Sequence, residues 1–88
     1  MVTKELIVQN RAGIHARPAS TIAKVSQRYS SEITLTSGTM TINAKSIMGI
    51  ITLGAIYKTP ITVTCDGCDE NEAMDALQSL FENRFEEV

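Results

Sequence analysis

The sequence predicts an α+β fold, an open-faced β-sandwich in which a four-stranded antiparallel sheet carries three helices on one face. Apolar and polar residues alternate in four segments, as in strands that are buried on one side only. Three other segments carry apolar residues at helical spacing. In chain order the segments are βαββαβα. Half-polar strands favour a sheet with one solvated face and with its helices on the other.

The first half of the chain predicts a strand, a helix and a hairpin. The strand is TKELIVQ, and the helix is RPASTIAKVSQRY, in which Pro18 suits the first turn. EITLT and TMTIN, joined by a turn at Ser37 and Gly38, form the hairpin. The residues predicted to face inward are Leu6, Val8, Ala19, Ile22, Ala23, Ser26, Tyr29, Ile33, Leu35, Met40 and Ile42.

The second half predicts a short helix, a strand and a longer helix. The short helix has Ser46 as its N-cap and Gly54 as its stop. PITVTC alternates as a strand, and the last helix starts at Asp69, with Glu72 completing a capping box. The predicted apolar positions are Ile61, Val63 and Cys65 in the strand and Ala73, Ala76, Leu77, Leu80, Phe81 and Phe85 in the helix.

Length and charge restrict the classes of function. The 88 residues form one predicted domain, residues 1–88, and a chain of this size buries roughly 60–65 % of its unfolded surface. The net charge is −2 and the eight basic residues are scattered, which disfavours nucleic-acid binding. The apolar runs fall far short of the roughly 18 residues that span a bilayer, and the N-terminus does not resemble a signal peptide. We expect a cytoplasmic monomer that binds neither nucleic acid nor membrane.

Cys65 and Cys68 form a C-x-x-C motif, which is typical of redox or zinc sites. A structural zinc ion takes four Cys or His ligands, whereas the chain holds only three such residues. Cys65 also ends the inward alternation of its strand, as a small buried hydrophobe does. We expect Cys65 in the core and Cys68 in a turn, with no metal and no cofactor.

The only histidine lies in GIHARPAS, residues 13–20. Pro18 places His15 at or just before a helix N-terminus, and Gly13 allows a sharp turn there. The positive end of the helix dipole favours a neutral, nucleophilic imidazole. The free N–H groups of the first turn and the Arg17 guanidinium suit phosphate oxygens. This pattern predicts a site that holds a phosphoryl group on histidine; the alternative is a histidine that only caps the helix.

Two motifs identify a family. GIHARPAS resembles the phosphorylation-site signature of the HPr family, the histidine phosphocarriers of the bacterial phosphoenolpyruvate:sugar phosphotransferase system. AKSIMGIITLGA, residues 44–55, resembles the family's second signature, around its regulatory serine. The resemblance implies that His15 accepts phosphate on Nδ1 from phosphorylated enzyme I and passes it to the IIA components of sugar permeases, and that Arg17 helps hold it. The protein would then be a phosphoryl carrier and not a self-sufficient enzyme.

The second signature gives Ser46 two interpretations. A serine N-cap is explained by helix stability alone. The resemblance adds regulatory phosphorylation, with the dedicated HPr kinase/phosphorylase as a further candidate partner. It also implies that the helix after the histidine and the helix after Ser46 dock the partner proteins. The docking candidates are Ser20, Lys24, Gln27, Lys45, Ile47, Met48, Ile51 and Thr52.

The sequence departs from the family in places and leaves alternatives open. Many members have a Lys-Gly turn before the last strand, where this chain has Tyr57 and Lys58, and a basic residue where it has Gln27. One alternative is an HPr-like paralogue in a nitrogen-regulatory or purely regulatory phosphorelay. Another is a binding module that uses its sheet for a peptide or RNA, although such a sheet carries basic and aromatic residues. The exposed sheet face predicted here is threonine-rich: Thr34, Thr36, Thr62 and Thr64.

Overall fold

The computed structural model describes residues 1–86, which follow the predicted order βαββαβα. The strands are β1 Val2–Ile7, β2 Glu32–Ser37, β3 Met40–Asn43 and β4 Pro60–Asp66. The helices are α1 Ala16–Ser26, α2 Ile47–Leu53 and α3 Glu70–Glu82, followed by a short 3-10 turn, Arg84–Glu86. Within residues 1–86 no helix combines the length and the apolar character needed to cross a bilayer.

The four strands form one antiparallel sheet in the order β1-β4-β2-β3. Leu6 pairs with Ile61, so the inward residues of neighbouring strands share one face, which the helices cover. The open face carries threonines in cross-strand pairs, such as Thr3 and Thr64, whose hydroxyl oxygens are 3.2 Å apart. The predicted fold class is confirmed.

The core lies between the sheet and the helices, and most of the predicted inward positions are buried. Two details differ. On α3 Met74 is buried, whereas the predicted Ala76 is only partly buried, because the buried stripe runs through 73, 74, 77 and 81. On β3 Met40 is 42 % exposed and Ile42 is partly buried. Met40 opens a short edge strand directly after the hairpin turn, where fewer neighbours can cover it.

The predicted capping box at the start of α3 is wrong. Asp69 is the N-cap residue, but its side chain makes no capping bond, and Glu72 is exposed. The Asp69 carboxylate instead accepts hydrogen bonds from the backbone amides of Ser30 and Ser31, both at 2.9 Å, and from their hydroxyls. The bond from the Ser31 hydroxyl and the one from the Ser30 amide lower the pKa of Asp69 from 3.8 to about 2. Asp69 thus ties the turn after α1 to the start of α3.

The C-terminal end of α3 also differs from the prediction. The helix ends at Glu82, and Arg84 and Phe85 adopt left-handed backbone angles, with φ of 53° and 54°. Phe85 therefore does not extend the helical stripe. It reaches the core through this reversal and packs edge-on against Phe81, with 4.9 Å between the ring centroids.

The two cysteines lie where the sequence places them. Cys65 is fully buried in β4, and burial raises the pKa of its thiol. Cys68 is exposed in the turn before α3, with its sulfur 3.4 Å from the Ser30 hydroxyl. Both are free thiols, and Cys65 fills core volume as a small hydrophobe does.

Candidate functional site

His15 is the N-cap residue of α1. Its backbone is extended, with φ −99° and ψ −162°, and its carbonyl oxygen accepts the first helical hydrogen bond, from Ala19 N at 2.9 Å. Its side chain makes no capping hydrogen bond and is exposed. The main chain therefore starts the helix, and the imidazole takes no part in the cap. His15 thus caps α1 through its backbone alone.

A tight loop sets the position of His15. Gly13 has φ +75°, and a Cβ there would lie 2.9 Å from the carbonyl oxygen of Ala55. The next amide, from Ile14, donates to that same oxygen at 2.9 Å, and the Ile14 side chain is buried. The loop before α1 is therefore held against the loop after α2. Only glycine is tolerated at position 13, because the positive φ and the close approach to Ala55 O both exclude a side chain.

The first turn of α1 provides donors beside the imidazole. The amides of Ala16 and Arg17 are the first two of the helix and have no acceptor four residues earlier in it, and Pro18, the third helical residue, has no N–H. Arg17 is exposed. Among the side chains of residues 1–85 the ion pairs involve only the N-terminal ammonium, so the Arg17 guanidinium has no carboxylate partner there. The start of α1 thus offers two amides and one guanidinium to an anion.

Ser46 caps α2 as predicted. Its hydroxyl oxygen accepts from Gly49 N at 3.0 Å, and Gly54 ends the helix with φ 64° and with its amide bonded to Ile51 O. Ile50 is buried beneath the helix. Three apolar side chains of α2 are exposed: Met48 is 71 % exposed, Ile47 39 % and Ile51 38 %. The Thr52 hydroxyl donates to Met48 O at 2.8 Å.

The comparisons with known proteins agree with this geometry. The family profile described as "PTS HPr component phosphorylation site" matches residues 2–83. The phosphocarrier protein HPr of Treponema pallidum is 44 % identical over 99 % of both chains, and that of Xylella fastidiosa (strain 9a5c) is 46 % identical over 99 % of this chain and 98 % of the relative. The crystal structure of HPr-C-His from Thermoanaerobacter tengcongensis matches with a TM-score of 0.95 and 36 % identity, over 100 % of this chain and 99 % of that one. The chain belongs to the HPr family. As a member it is a phosphocarrier protein.

Three of the docking candidates that the HPr resemblance implies lie on α1 or directly after it: Ser20, Lys24 and Gln27. They are three or four residues apart and so share a helical face, on which Lys24 and Gln27 are exposed and Ser20 is partly buried. Gln27 also has a structural role, since its side-chain amide donates to Lys45 O at 3.0 Å.

Lys45 is half-buried between α1 and α2. Its ammonium donates to Tyr29 O at 2.8 Å, just beyond the C-terminal end of α1. The backbone amide of Lys45 is bonded as well, to Asn43 Oδ1 at 2.8 Å. Gln27 and Lys45 thus join the two helices that carry the candidate docking residues.

The structure adds exposed residues that the HPr signatures do not include. Ile56 is 69 % exposed, and its Cα is 3.1 Å from where a Cβ on Gly13 would lie, so it flanks the His15 loop. Beside it the Tyr57 ring lies under two cations, Arg11 at 6.0 Å and Lys58 at 5.4 Å. The only sequence signal for Ile56 was an apolar residue in the short connection between α2 and β4, where a polar residue is usual. The loop contact that brings these residues to the site has no local sequence pattern.

Lys58 stands at the turn position where many HPr proteins have glycine. It adopts φ +70°, so the left-handed turn is kept without the residue that favours it. The Lys58 amide donates to Val8 O at 2.7 Å, and the Thr59 carbonyl accepts from Val8 N at 3.0 Å. These two bonds hold the turn against the end of β1.

Proposed function

We propose that this chain accepts a phosphoryl group on His15 Nδ1 from phosphorylated enzyme I, which takes it from phosphoenolpyruvate, and passes it to the IIA components of sugar permeases. The observation that carries the proposal is the exposed His15 side chain, which makes no capping hydrogen bond, at the start of an eleven-residue helix. The main-chain carbonyl of the same residue holds the helix start. The imidazole can therefore gain and lose a phosphoryl group without breaking a hydrogen bond of the helix cap.

The surroundings of His15 suit a group that must be passed on. The amides of Ala16 and Arg17 and the exposed Arg17 guanidinium supply charge-assisted hydrogen bonds to phosphate oxygens. A shallow, solvated site of this kind stabilises the phosphoryl group less than a closed cage would. Phosphoryl transfer depends mainly on positioning and on charge stabilisation, and the partner protein adds its own groups when it docks.

The partners dock, in this proposal, on the face that carries Ser20, Lys24 and Gln27 and on the apolar side of α2. Met48, Ile47 and Ile51 supply the apolar contacts, and methionine adapts to several partners. Phosphorylation of Ser46 by HPr kinase/phosphorylase would place about two negative charges beside Ile47 and Met48 and so weaken enzyme I docking. We expect the protein to work as a cytoplasmic monomer that meets its partners in succession.

The test incubates the protein with enzyme I and phosphoenolpyruvate and follows the intact mass. We expect one acid-labile, base-stable phosphoryl group, and nuclear magnetic resonance of the labelled ring to place it on Nδ1. His15→Ala should abolish labelling, and labelling that persists in that variant would refute the assignment. Transfer onward to a sugar IIA protein, compared with a nitrogen-regulatory IIA protein, decides between the two branches.

A matched pair of arginines tests the role of Arg17. Arg17→Ala should slow phosphorylation by about 10- to 100-fold, which is what loss of a charge-assisted hydrogen bond worth about 1.5–3 kcal/mol implies. Arg28 is also exposed but follows the other end of α1, so Arg28→Ala should leave the rate unchanged. Equal effects of the two variants would mean that general charge, and not contact with phosphate, explains the loss.

A further inference from the structure

We propose that Asn10 is a positioning residue for phosphoryl transfer and acts through the loop that holds His15; the inference rests on the proposed function. Asn10 is 1 % exposed. Its side-chain amide donates to Gly13 O, and its own carbonyl accepts from Gly13 N at 3.1 Å. The side chain thus closes the turn that ends two residues before His15.

The carbonyl of Gly13 depends on the Asn10 side-chain amide for its hydrogen bond. Gly13 is buried, and a buried carbonyl without a hydrogen-bond partner is strongly destabilising. The loop is also held on the side that faces Ala55, because Gly13 lies against Ala55 and the Ile14 amide donates to Ala55 O at 2.9 Å. Losing the Asn10 donor should therefore move or loosen the peptide between Gly13 and Ile14, and with it the start of α1.

Asn10 is a poor choice for stability alone. In the part of the chain that the structure describes, its Oδ1 is buried and no protein atom donates a hydrogen bond to it. The reverse orientation of the amide would set Oδ1 against Gly13 O, acceptor against acceptor, so the orientation follows from the carbonyl. An unpaired buried oxygen destabilises the fold. Residues that break such a rule tend to occur at functional sites, which here is the loop before His15.

This placement predicts a specific kinetic effect. Because Asn10 is buried it cannot touch a docked partner, so its loss should leave the KM for the phosphoryl donor unchanged. A misplaced imidazole should lower the limiting rate, since errors of about 1 Å in a reacting group can slow a reaction by about 100-fold. We expect Asn10→Ala and the nearly isosteric Asn10→Leu to lower the limiting rate by at least about tenfold.

The matched control is Ser31→Ala. Ser31 is also buried and polar, and its hydroxyl bonds Asp69 at the start of α3, away from the His15 loop. All variants are compared at a temperature at which unfolding curves show each to be folded. Ser31→Ala should be less stable than wild type yet accept phosphate at the wild-type limiting rate.

The outcomes separate the hypotheses. The proposal is supported if both Asn10 variants have a lower limiting rate and an unchanged KM while Ser31→Ala keeps the wild-type limiting rate. A wild-type rate in Asn10→Leu would overturn it, because the hydrogen bond would then be dispensable. A raised KM in the Asn10 variants would also overturn it. So would a lower limiting rate in Ser31→Ala, because lower stability alone would then explain the effect. Failure of the wild-type protein to be labelled would instead refute the proposed function.

Discussion

Ser46 offers a substitution pair that separates helix capping from partner docking. Its hydroxyl oxygen accepts the Gly49 amide at 3.0 Å, and the exposed side chains of Ile47 and Met48 follow it directly. Ser46→Ala removes the acceptor and adds no charge. Ser46→Asp keeps an acceptor and adds a negative charge at the same place. If Ser46 has both roles, the two variants should fail in different assays.

The expected stabilities follow from the cap. Loss of a serine N-cap destabilises by about 0.5–2 kcal/mol, and for a domain of this size 1 kcal/mol shifts Tm by about 4–8 °C. Ser46→Ala should therefore melt several degrees below wild type. Aspartate is as good an N-cap as serine, and a negative charge at a helix N-terminus adds about 0.3–1 kcal/mol. Ser46→Asp should melt at or above the wild-type temperature.

Docking should show the reverse order. In the proposed complex the aspartate would lie where Ile47 and Met48 contact enzyme I, and burying an unpaired charge costs several kcal/mol. We expect Ser46→Asp to raise the KM for enzyme I by at least about tenfold, equivalent to about 1.4 kcal/mol. Ser46→Ala should keep the wild-type KM, because it leaves the apolar surface unchanged.

The assays are thermal unfolding and steady-state phosphorylation by enzyme I with excess phosphoenolpyruvate. An unchanged KM in a folded Ser46→Asp would refute the placement of the docking face beside Ser46. A Tm in Ser46→Asp as low as in Ser46→Ala would refute the account of the cap.

Three further predictions test the docking face, the left-handed turn and the Asp69 contacts. Ile51→Ala should raise the KM for enzyme I, whereas Ile7→Ala should not, because Ile7 is equally exposed, at 38 %, but lies on the open face of the sheet; equal effects would contradict the proposed face. Lys58→Gly should be more stable in urea than Lys58→Ala by about 0.5–1 kcal/mol, since the left-handed turn costs alanine about 1–2 kcal/mol and glycine loses part of that as entropy; equal stabilities would contradict the turn. The Asp69 carboxylate stabilises the fold at pH values above 3.8 and loses this effect as the pH falls towards its folded pKa of about 2. The stability gap between wild type and Asp69→Asn, measured by urea unfolding, should therefore shrink over that interval, and a constant gap would show that the carboxylate charge is not responsible.

The features that the sequence predicted correctly are those that depend on near neighbours. Alternation places Ile61 and Val63 inward, and Ser46 caps an amide three residues away. Asp69 shows where such reasoning fails. Its spacing to Glu72 matches a capping box, but Ser30 and Ser31, 39 and 38 residues earlier in the chain, supply the donors that it uses. A local motif cannot reveal a distant competitor for the same carboxylate.

The same limit applies to the candidate site. The position of His15 at the helix start follows from Pro18 and Gly13, which act within a few residues. The contact between Gly13 and Ala55 joins segments about forty residues apart, and it is what brings Ile56 beside the His15 loop. Nothing local in the sequence marks that contact. A lone asparagine such as Asn10 likewise reads as an ordinary loop residue until its burial is known.

His15 combines two roles that interfere in most capping residues. A serine or aspartate N-cap uses its side chain to hold the first turn, so modifying that side chain changes the stability of the helix. In His15 the backbone carbonyl holds Ala19, and the loop before it is held by the bonds of Gly13 and Ile14. The imidazole contributes no hydrogen bond to the helix cap. If His15 is the phosphoacceptor, as proposed, attaching and removing a phosphoryl group should therefore break no hydrogen bond of the helix cap.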